Sequence, residues 1–178
     1  MNSKEANEIV GKLSRTSKMP CHSYNLPATR CVTGAKMVKI KGTTCYNCYA
    51  LKGMYRFDVV KNAMERRYKA ISNPEWVFAM AVLINSKKSK YFRWHDSGDI
   101  QNLEHLKQIF EICKSTPGIT HWLPTREYQI LSQVKKSDVP ENLVIRLSAI
   151  NVNSNPPKSW HLTSTVLTEN ATCPAYKQ

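Results

Sequence analysis

The sequence contains no long apolar run. No stretch approaches the roughly 18 consecutive apolar residues that a membrane helix needs. The first ten residues, MNSKEANEIV, are polar and lack the apolar centre of a secretory signal peptide. We therefore expect neither a membrane span nor ordinary secretion. The chain also has no Walker loop and no G-x-G-x-x-G fingerprint, so nucleotide hydrolysis and hydride transfer are unsupported.

Acidic residues are scarce. The 178 residues include 13 Asp and Glu against 26 Lys and Arg, which gives a net charge of +13. Most of the excess lies in the first 70 residues, where 14 basic and 4 acidic residues leave +10. Such an excess of positive charge favours an anionic partner, either a nucleic acid or an acidic protein. The hydrophobic content of 42% is enough for a packed core.

The pattern predicts a single domain over residues 1–178 with three parts. Residues 1–18 read as a short helix or a flexible arm. Residues 19–57 form an irregular cysteine-rich segment, since prolines and glycines interrupt every period there. A loop of this length is uncommon in a compact domain unless something other than a core holds it, and a bound metal would do so. Residues 58–178 are predicted to form the α/β core.

Helices and strands alternate in this predicted core. Apolar periodicity indicates helices beginning at Asp58 and near Asn73, one between residues 103 and 113, and one around residues 130–134. Strands are predicted at 91–95, 119–123, 143–150 and about 162–167. This order indicates successive right-handed βαβ units and a parallel sheet.

Cysteine spacing points to a metal. The pair Cys45 and Cys48 has C-x2-C spacing, which lets two thiolates bind one metal or cluster from a tight turn. Cys21 and Cys31 complete a set of four thiols within 28 residues. Cys173, which precedes a proline, is a fifth candidate.

The spacing leaves zinc and an iron–sulfur cluster both open, because only one of the pairs is compact. The alternatives to metal binding are disulfides and unrelated buried thiols, and disulfides would need an oxidising compartment. Cys113 lies on the apolar face of a predicted helix, so we predict that it packs in the core.

Polar residues gather where the predicted strands end. In βα folds these carboxyl ends carry function, so we predict a ligand pocket there that could bind a phosphate or carboxylate. Structural ion pairs among the same residues are the alternative. The candidates are Arg93, His95, Asp96, Ser97, Asp99, Arg126, Glu127 and Arg146.

Five separated motifs resemble the "gene product eighty-eight" family of bacteriophage and plasmid proteins, over roughly residues 18–176. They are NLPA-x2-C (25–31), C-x2-CYA (45–50), FRWHDSGD (92–99), WLPTRE (122–127) and TCPA (172–175). The resemblance implies a phage iron–sulfur protein of the host cytoplasm with a partial (β/α) barrel of the radical-SAM kind. Its ligand motifs fall on Cys31, Cys45, Cys48 and Cys173, with Cys21 as a further match.

The resemblance also raises S-adenosylmethionine as a ligand. The C-x3-C-x2-C triplet that normally binds the cluster in radical-SAM enzymes is absent from this chain, which argues against a radical mechanism. Our first hypothesis is therefore a 4Fe-4S protein with a structural, redox or electron-transfer role. One alternative is a zinc-stabilised nucleic-acid-binding module, in which aromatic rings lie among the lysines of the N-terminal segment. The other is a cluster-dependent enzyme that uses the strand-end pocket.

Overall fold

A computed structural model describes residues 1–17, residues 19–170 and residue 172. Its centre is a sheet of five parallel strands that lie side by side in chain order. The first and last strands do not pair within these residues, so the sheet is open, as in a partial barrel. The predicted α/β class, with a partial (β/α) barrel-like parallel sheet and an irregular cysteine-rich N-terminal segment, is confirmed.

The elements follow one another along the chain with short irregular links. The strands are β1 (His22–Tyr24), β2 (Tyr91–Trp94), β3 (Thr120–Thr125), β4 (Leu143–Ser148) and β5 (Thr163–Ser164). The α-helices are α1 (Ser3–Val10), α2 (Gly34–Met37), α3 (Asp58–Ala70), α4 (Trp76–Asn85), α5 (Leu103–Lys114) and α6 (Tyr128–Leu131). Short 3-10 turns occur at Ala28–Arg30, Tyr49–Leu51, Gly53–Arg56 and Lys136–Asp138.

The two faces of the sheet differ in character. Alternate residues of β2, β3 and β4, such as Trp94, Leu123 and Ile145, are buried in one continuous core with the apolar sides of α4 and α5. The residues between them, such as Arg93 and Trp122, are partly or largely exposed. The second face is the inner face of the partial barrel, and it carries mostly polar and aromatic side chains.

Of the short helix and the flexible arm predicted for residues 1–18, the structure shows a helix at Ser3–Val10. Asn2 caps α1 by accepting from the amide of Glu5, whose side chain accepts from the amide of Asn2 in return. Ala6 and Val10 are fully buried, and α1 packs on α4. The sequence offered only a short apolar pattern here, and burial of this narrow stripe holds the helix in place.

Strand β1 was not predicted, because three residues are too few to show the alternating hydrophobic pattern of a strand. It pairs with β2 at the edge of the sheet, with Ser23 opposite Arg93. The fourth predicted helix is also shorter than expected, since α6 covers one turn only. Among the described residues, no helix has the length and apolar character needed to cross a membrane.

A cysteine-lined cavity as the candidate functional site

One cavity of about 420 Å³ opens at the carboxyl edge of the sheet. The cysteine-rich segment forms one wall, and the loops that follow β2 and β3 form the other. The predicted site residues that line it are Cys31, Cys45, Cys48, Arg93, His95, Asp96, Ser97, Asp99 and Arg126. Four of the five separated motifs therefore meet at one place.

Hydrogen bonds hold the cysteine segment against the carboxyl ends of three strands. After β3, the buried Glu127 carboxylate accepts from the Thr33 amide at 2.9 and 3.1 Å and from its hydroxyl at 2.6 Å. After β4, the Thr44 amide donates to the carbonyl of Ile150 at 2.8 Å. After β2, the Tyr49 hydroxyl donates to the carbonyl of Asp96. These contacts fix both parts of the segment that carry thiols.

Two of the thiols converge beside Gly34. A Cβ placed on this glycine would lie 3.5 Å from Cys45 Sγ and 3.6 Å from Cys31 Sγ, so the sulfur atoms are no farther apart than the sum of these distances. The same Cβ would lie 3.1 Å from Cys31 Cβ, which is tighter than an ordinary contact. The absence of a side chain at this position therefore leaves the space between the two thiols open.

Burial keeps these thiols protonated in the metal-free protein. It raises the pKa of Cys31 strongly, and the nearby carboxylates of Asp99 and Glu127 raise it further. Burial also raises the pKa of Cys45, although the positive charge of Arg126 acts in the opposite direction. A bound cation would reverse this preference, because metal binding deprotonates its thiol ligands. None of the cysteines in the described part of the chain forms a disulfide.

The cysteine arrangement differs from a single-ion site. Four thiolates around one zinc ion, with Zn–S bonds of about 2.3 Å, would place their sulfur atoms about 3.8 Å apart. Within the described ranges, no three His, Cys, Asp or Glu side chains come close enough together to hold one metal ion.

Several polar atoms of the cavity wall have no hydrogen-bond partner. They are Arg93 Nε, Arg126 Nε and Asp96 Oδ1, and each atom is shielded from solvent. Among the ion pairs of the described residues, none involves either arginine. The structural ion-pair network considered as an alternative is therefore not found there. Buried polar atoms without hydrogen-bond partners are costly, which makes these three atoms candidates to contact a bound ligand.

Two other buried ionisable groups lie beside the cavity. The Asp99 carboxylate accepts from the Thr125 hydroxyl at 2.7 Å and from the amides of Arg126 and Ile100 at 2.9 and 2.8 Å. Burial outweighs these bonds and raises the pKa of Asp99 to about 6. His95 has a left-handed φ of 54°, and burial lowers its pKa to about 4, so its ring is neutral at pH 7.

The structure places the remaining predicted site residues elsewhere. Glu127 holds Thr33 and is not part of the cavity wall, while Arg146 lies on the inner face of the sheet and donates to the carbonyl of Thr163 at 3.0 Å. Cys21 immediately precedes β1 and so lies at the opposite edge from the cavity. Cys173 lies outside the described residues. Cys113 is fully buried in the core, as predicted.

The Gene product 88 family model matches residues 1–173. The chain belongs to the Gene product 88 family. The match covers nearly the whole chain and begins earlier than the motifs that carried the resemblance, so it includes α1. No curated protein and no solved structure matches the sequence.

Sequence reasoning missed three contributors to the cavity of this family member. Gly34 opens the space between two thiols, and Tyr49 and Tyr55 contact Asp96 through its carbonyl and its carboxylate. The tyrosine rings also pack edge to face, with centroids 5.9 Å apart. Their signal was available, because Tyr49 directly follows Cys48, and the aromatic residues of this basic segment fit either a stacking surface for nucleic acid or a packed shell around a cluster.

Proposed function

We propose that the chain is an iron–sulfur protein that holds its cluster in the cavity at the carboxyl edge of the sheet. The observation that supports this most directly is the presence of Cys31, Cys45 and Cys48 in the wall of one cavity. Cys173 is the candidate for a fourth ligand. A cluster with four protein ligands would be closed, which favours a structural, redox or electron-transfer role over substrate activation.

Iron–sulfur binding is favoured over zinc by the resemblance that the cysteine motifs carry and by the position of Cys21. Cys21, which a four-thiol zinc site within residues 21–48 would require, lies at the far edge of the sheet. The positive charges of Arg93 and Arg126 would offset the negative charge of a thiolate-bound cluster, and such charges raise the reduction potential of a cluster. Glu127 and Gly34 would act as positioning residues, since one orders the segment and the other keeps the space clear.

A cluster would supply one-electron transfer at this edge of the sheet. The chain itself would position the thiols through the hydrogen bonds of Thr33, Thr44 and Tyr49, and the 3-10 turn Tyr49–Leu51 lines the same cavity.

The test is metal and acid-labile sulfide analysis of protein purified without oxygen, with an absorption spectrum. We expect about four irons and four sulfides per chain, with a broad band that bleaches on reduction. Cys45→Ser should lose most of the iron and lower the melting temperature. Cys21→Ser is the matched control, because it removes a thiol outside the cavity, and it should keep its iron. One zinc per chain with no colour, or iron loss in Cys21→Ser alone, would overturn the proposal.

A second candidate function is binding of a small anionic substrate in the same cavity, beside the cluster. The unpartnered Nε atoms of Arg93 and Arg126 favour it, because a phosphate or carboxylate would supply their missing acceptors. Calorimetric titration with inorganic phosphate and with malonate would test it. Binding that Arg126→Gln abolishes at unchanged iron content and melting temperature supports this function, whereas equal binding by the variant or no binding at all contradicts it.

A further inference from the structure

The inner face of the sheet carries an exposed aromatic pair beside Arg93, the arginine that also lines the cysteine cavity. Tyr91 begins β2 and is 59% exposed, and Trp122 in β3 is 36% exposed. Both belong to the face opposite the core, since Phe92 and Leu123 next to them are buried. Strand pairing places Arg93 directly opposite Trp122, with its guanidinium carbon 4.6 Å from the centre of the tryptophan ring. We call Tyr91, Arg93 and Trp122 the inner-face patch.

The geometry of this patch suits stacking of two bases. Tyr91 pairs with Thr120, two residues before Trp122, so the rings lie on neighbouring strands at diagonal positions. Strand spacing puts their Cα atoms roughly 8 Å apart. Aromatic residues on adjacent strands of an open sheet are the platform on which RNA-recognition domains stack neighbouring bases of a single strand. The guanidinium of Arg93 stacks on one face of the Trp122 ring. A base can stack on the same ring.

The strands β1, β2 and β3 and the segments that lead into them carry only positive charge, whereas Asp138 and Glu141 precede the neighbouring β4. No Asp or Glu occurs in residues 9–57, 76–95 or 112–126, which include β1, β2, β3 and the segments that lead into them. The lead-in to β2 carries Lys87, Lys88 and Lys90, and Arg15 precedes β1. Lys87 and Arg15 both act on His22, whose pKa burial and these two charges lower. Parallel strands start at the same edge, so these cations border the patch together.

We propose that the inner-face patch and the lysines before β2 bind single-stranded nucleic acid, with bases stacked on Tyr91 and Trp122 and phosphates paired with Lys87, Lys88 and Lys90. The positive charge of the lysines favours a polyanion as the partner. The two exposed aromatic rings favour a polyanion that carries bases, because bases stack on such rings. The surface extends from Arg93, which also lines the cysteine cavity, to the amino edge of the sheet, and Tyr91, Trp122 and the three lysines lie outside the cavity wall. It therefore goes beyond the proposed iron–sulfur function, and its failure would leave that function standing.

The first experiment measures binding of dye-labelled oligothymidine and oligouridine by fluorescence anisotropy, with the intact protein as purified. Trp122→Ala and Tyr91→Ala should each weaken binding at least about fivefold, because stacking of one base is lost. Phe78→Ala is the matched control, since Phe78 is 58% exposed on α4, on the opposite side of the sheet, and it should bind like the parent. Trp122→Phe keeps a ring and should recover most of the affinity.

Intrinsic fluorescence gives a readout that belongs to the patch. Trp76 and Trp94 are fully buried, so base stacking on Trp122 should quench the parent protein and leave Trp122→Phe much less affected. Unchanged iron content and melting temperature in each variant will show that a loss of binding does not arise from unfolding. If Trp122→Ala and Tyr91→Ala are folded and bind as tightly as the parent, the proposal is overturned.

The second experiment measures affinity against salt concentration. Replacing Lys87, Lys88 and Lys90 by Gln should reduce the slope of log affinity against log salt by up to about 2, given about 0.7 per phosphate contact on a single strand. The control removes three positive charges from exposed positions on helices α3 and α5, namely Arg66, Lys69 and Lys107. An equal loss in this control would mean unspecific attraction to a basic protein. Equal affinity for polyglutamate would point to an acidic protein partner, and either result would overturn the proposal.

Discussion

At the scale of single residues, Gly98 shows how tightly the cavity wall is specified. Its φ is +78°, and a Cβ at this position would lie 2.6 Å from Leu26 Cβ and 2.8 Å from the Leu26 carbonyl oxygen. The neighbouring Ser97 carbonyl accepts from the Leu26 amide at 2.9 Å, so the backbone cannot move away without losing that bond. Only glycine satisfies both the left-handed conformation and the close approach.

We expect Gly98→Ala to destabilise the fold by roughly 2–4 kcal/mol, from backbone strain and overpacking together. Gly118→Ala is the matched control, because a Cβ there meets nothing within 4 Å, and it should change the free energy of unfolding by less than about 1 kcal/mol. Urea unfolding of both variants measures the difference. Equal stability of Gly98→Ala and the parent would show that this turn is not constrained as described.

Residue types predicted the candidate site better than they predicted individual roles. Cys31, Arg93 and Arg126 could be chosen from the sequence. Cysteines at metal-ligand spacing indicate metal binding, and arginines at the carboxyl ends of strands indicate anion binding. Glu127 could not be separated from them. Its role as the acceptor for Thr33 depends on a contact between residues 94 positions apart, which no local pattern encodes.

At the scale of elements, the long strands were predictable and the short ones were not. Strands β3 and β4 alternate buried and exposed residues over six positions, so their hydrophobic period identifies them. Strand β1 has three residues and exists because β2 offers an open edge to pair with. The cysteine segment likewise takes its shape from bonds to the ends of β2, β3 and β4, not from any periodicity of its own.

At the scale of the whole molecule, buried histidines set the response to acid. His121 is fully buried between Trp94 and Thr116. Its Nδ1 accepts a hydrogen bond from the Trp94 indole N–H at 3.2 Å. A proton added to this Nδ1 would place two donors face to face. Burial lowers the pKa of His121 to about 4, and burial together with His95 lowers the pKa of His105.

The sign of the pH dependence follows from these lowered values. Between about pH 4 and pH 6.5 the unfolded chain binds protons at these histidines and the folded protein does not, so stability falls as the pH falls through this window. Asp99 acts in the opposite direction, because its raised pKa makes the folded state bind a proton between about pH 4 and pH 6. Several histidines outweigh one carboxyl group, and the net effect is loss of stability in acid.

We therefore expect the free energy of unfolding to rise with pH from 4.5 to about 6.5. His121→Gln should lower this slope by about 1.4 kcal/mol per pH unit, because one proton fewer is taken up on unfolding. His161→Gln is the matched control, since that side chain is exposed, and its slope should equal the parent's. Urea unfolding at a series of pH values measures all three proteins under the same conditions. Parallel curves for His121→Gln and the parent would contradict the assignment of acid sensitivity to this buried ring.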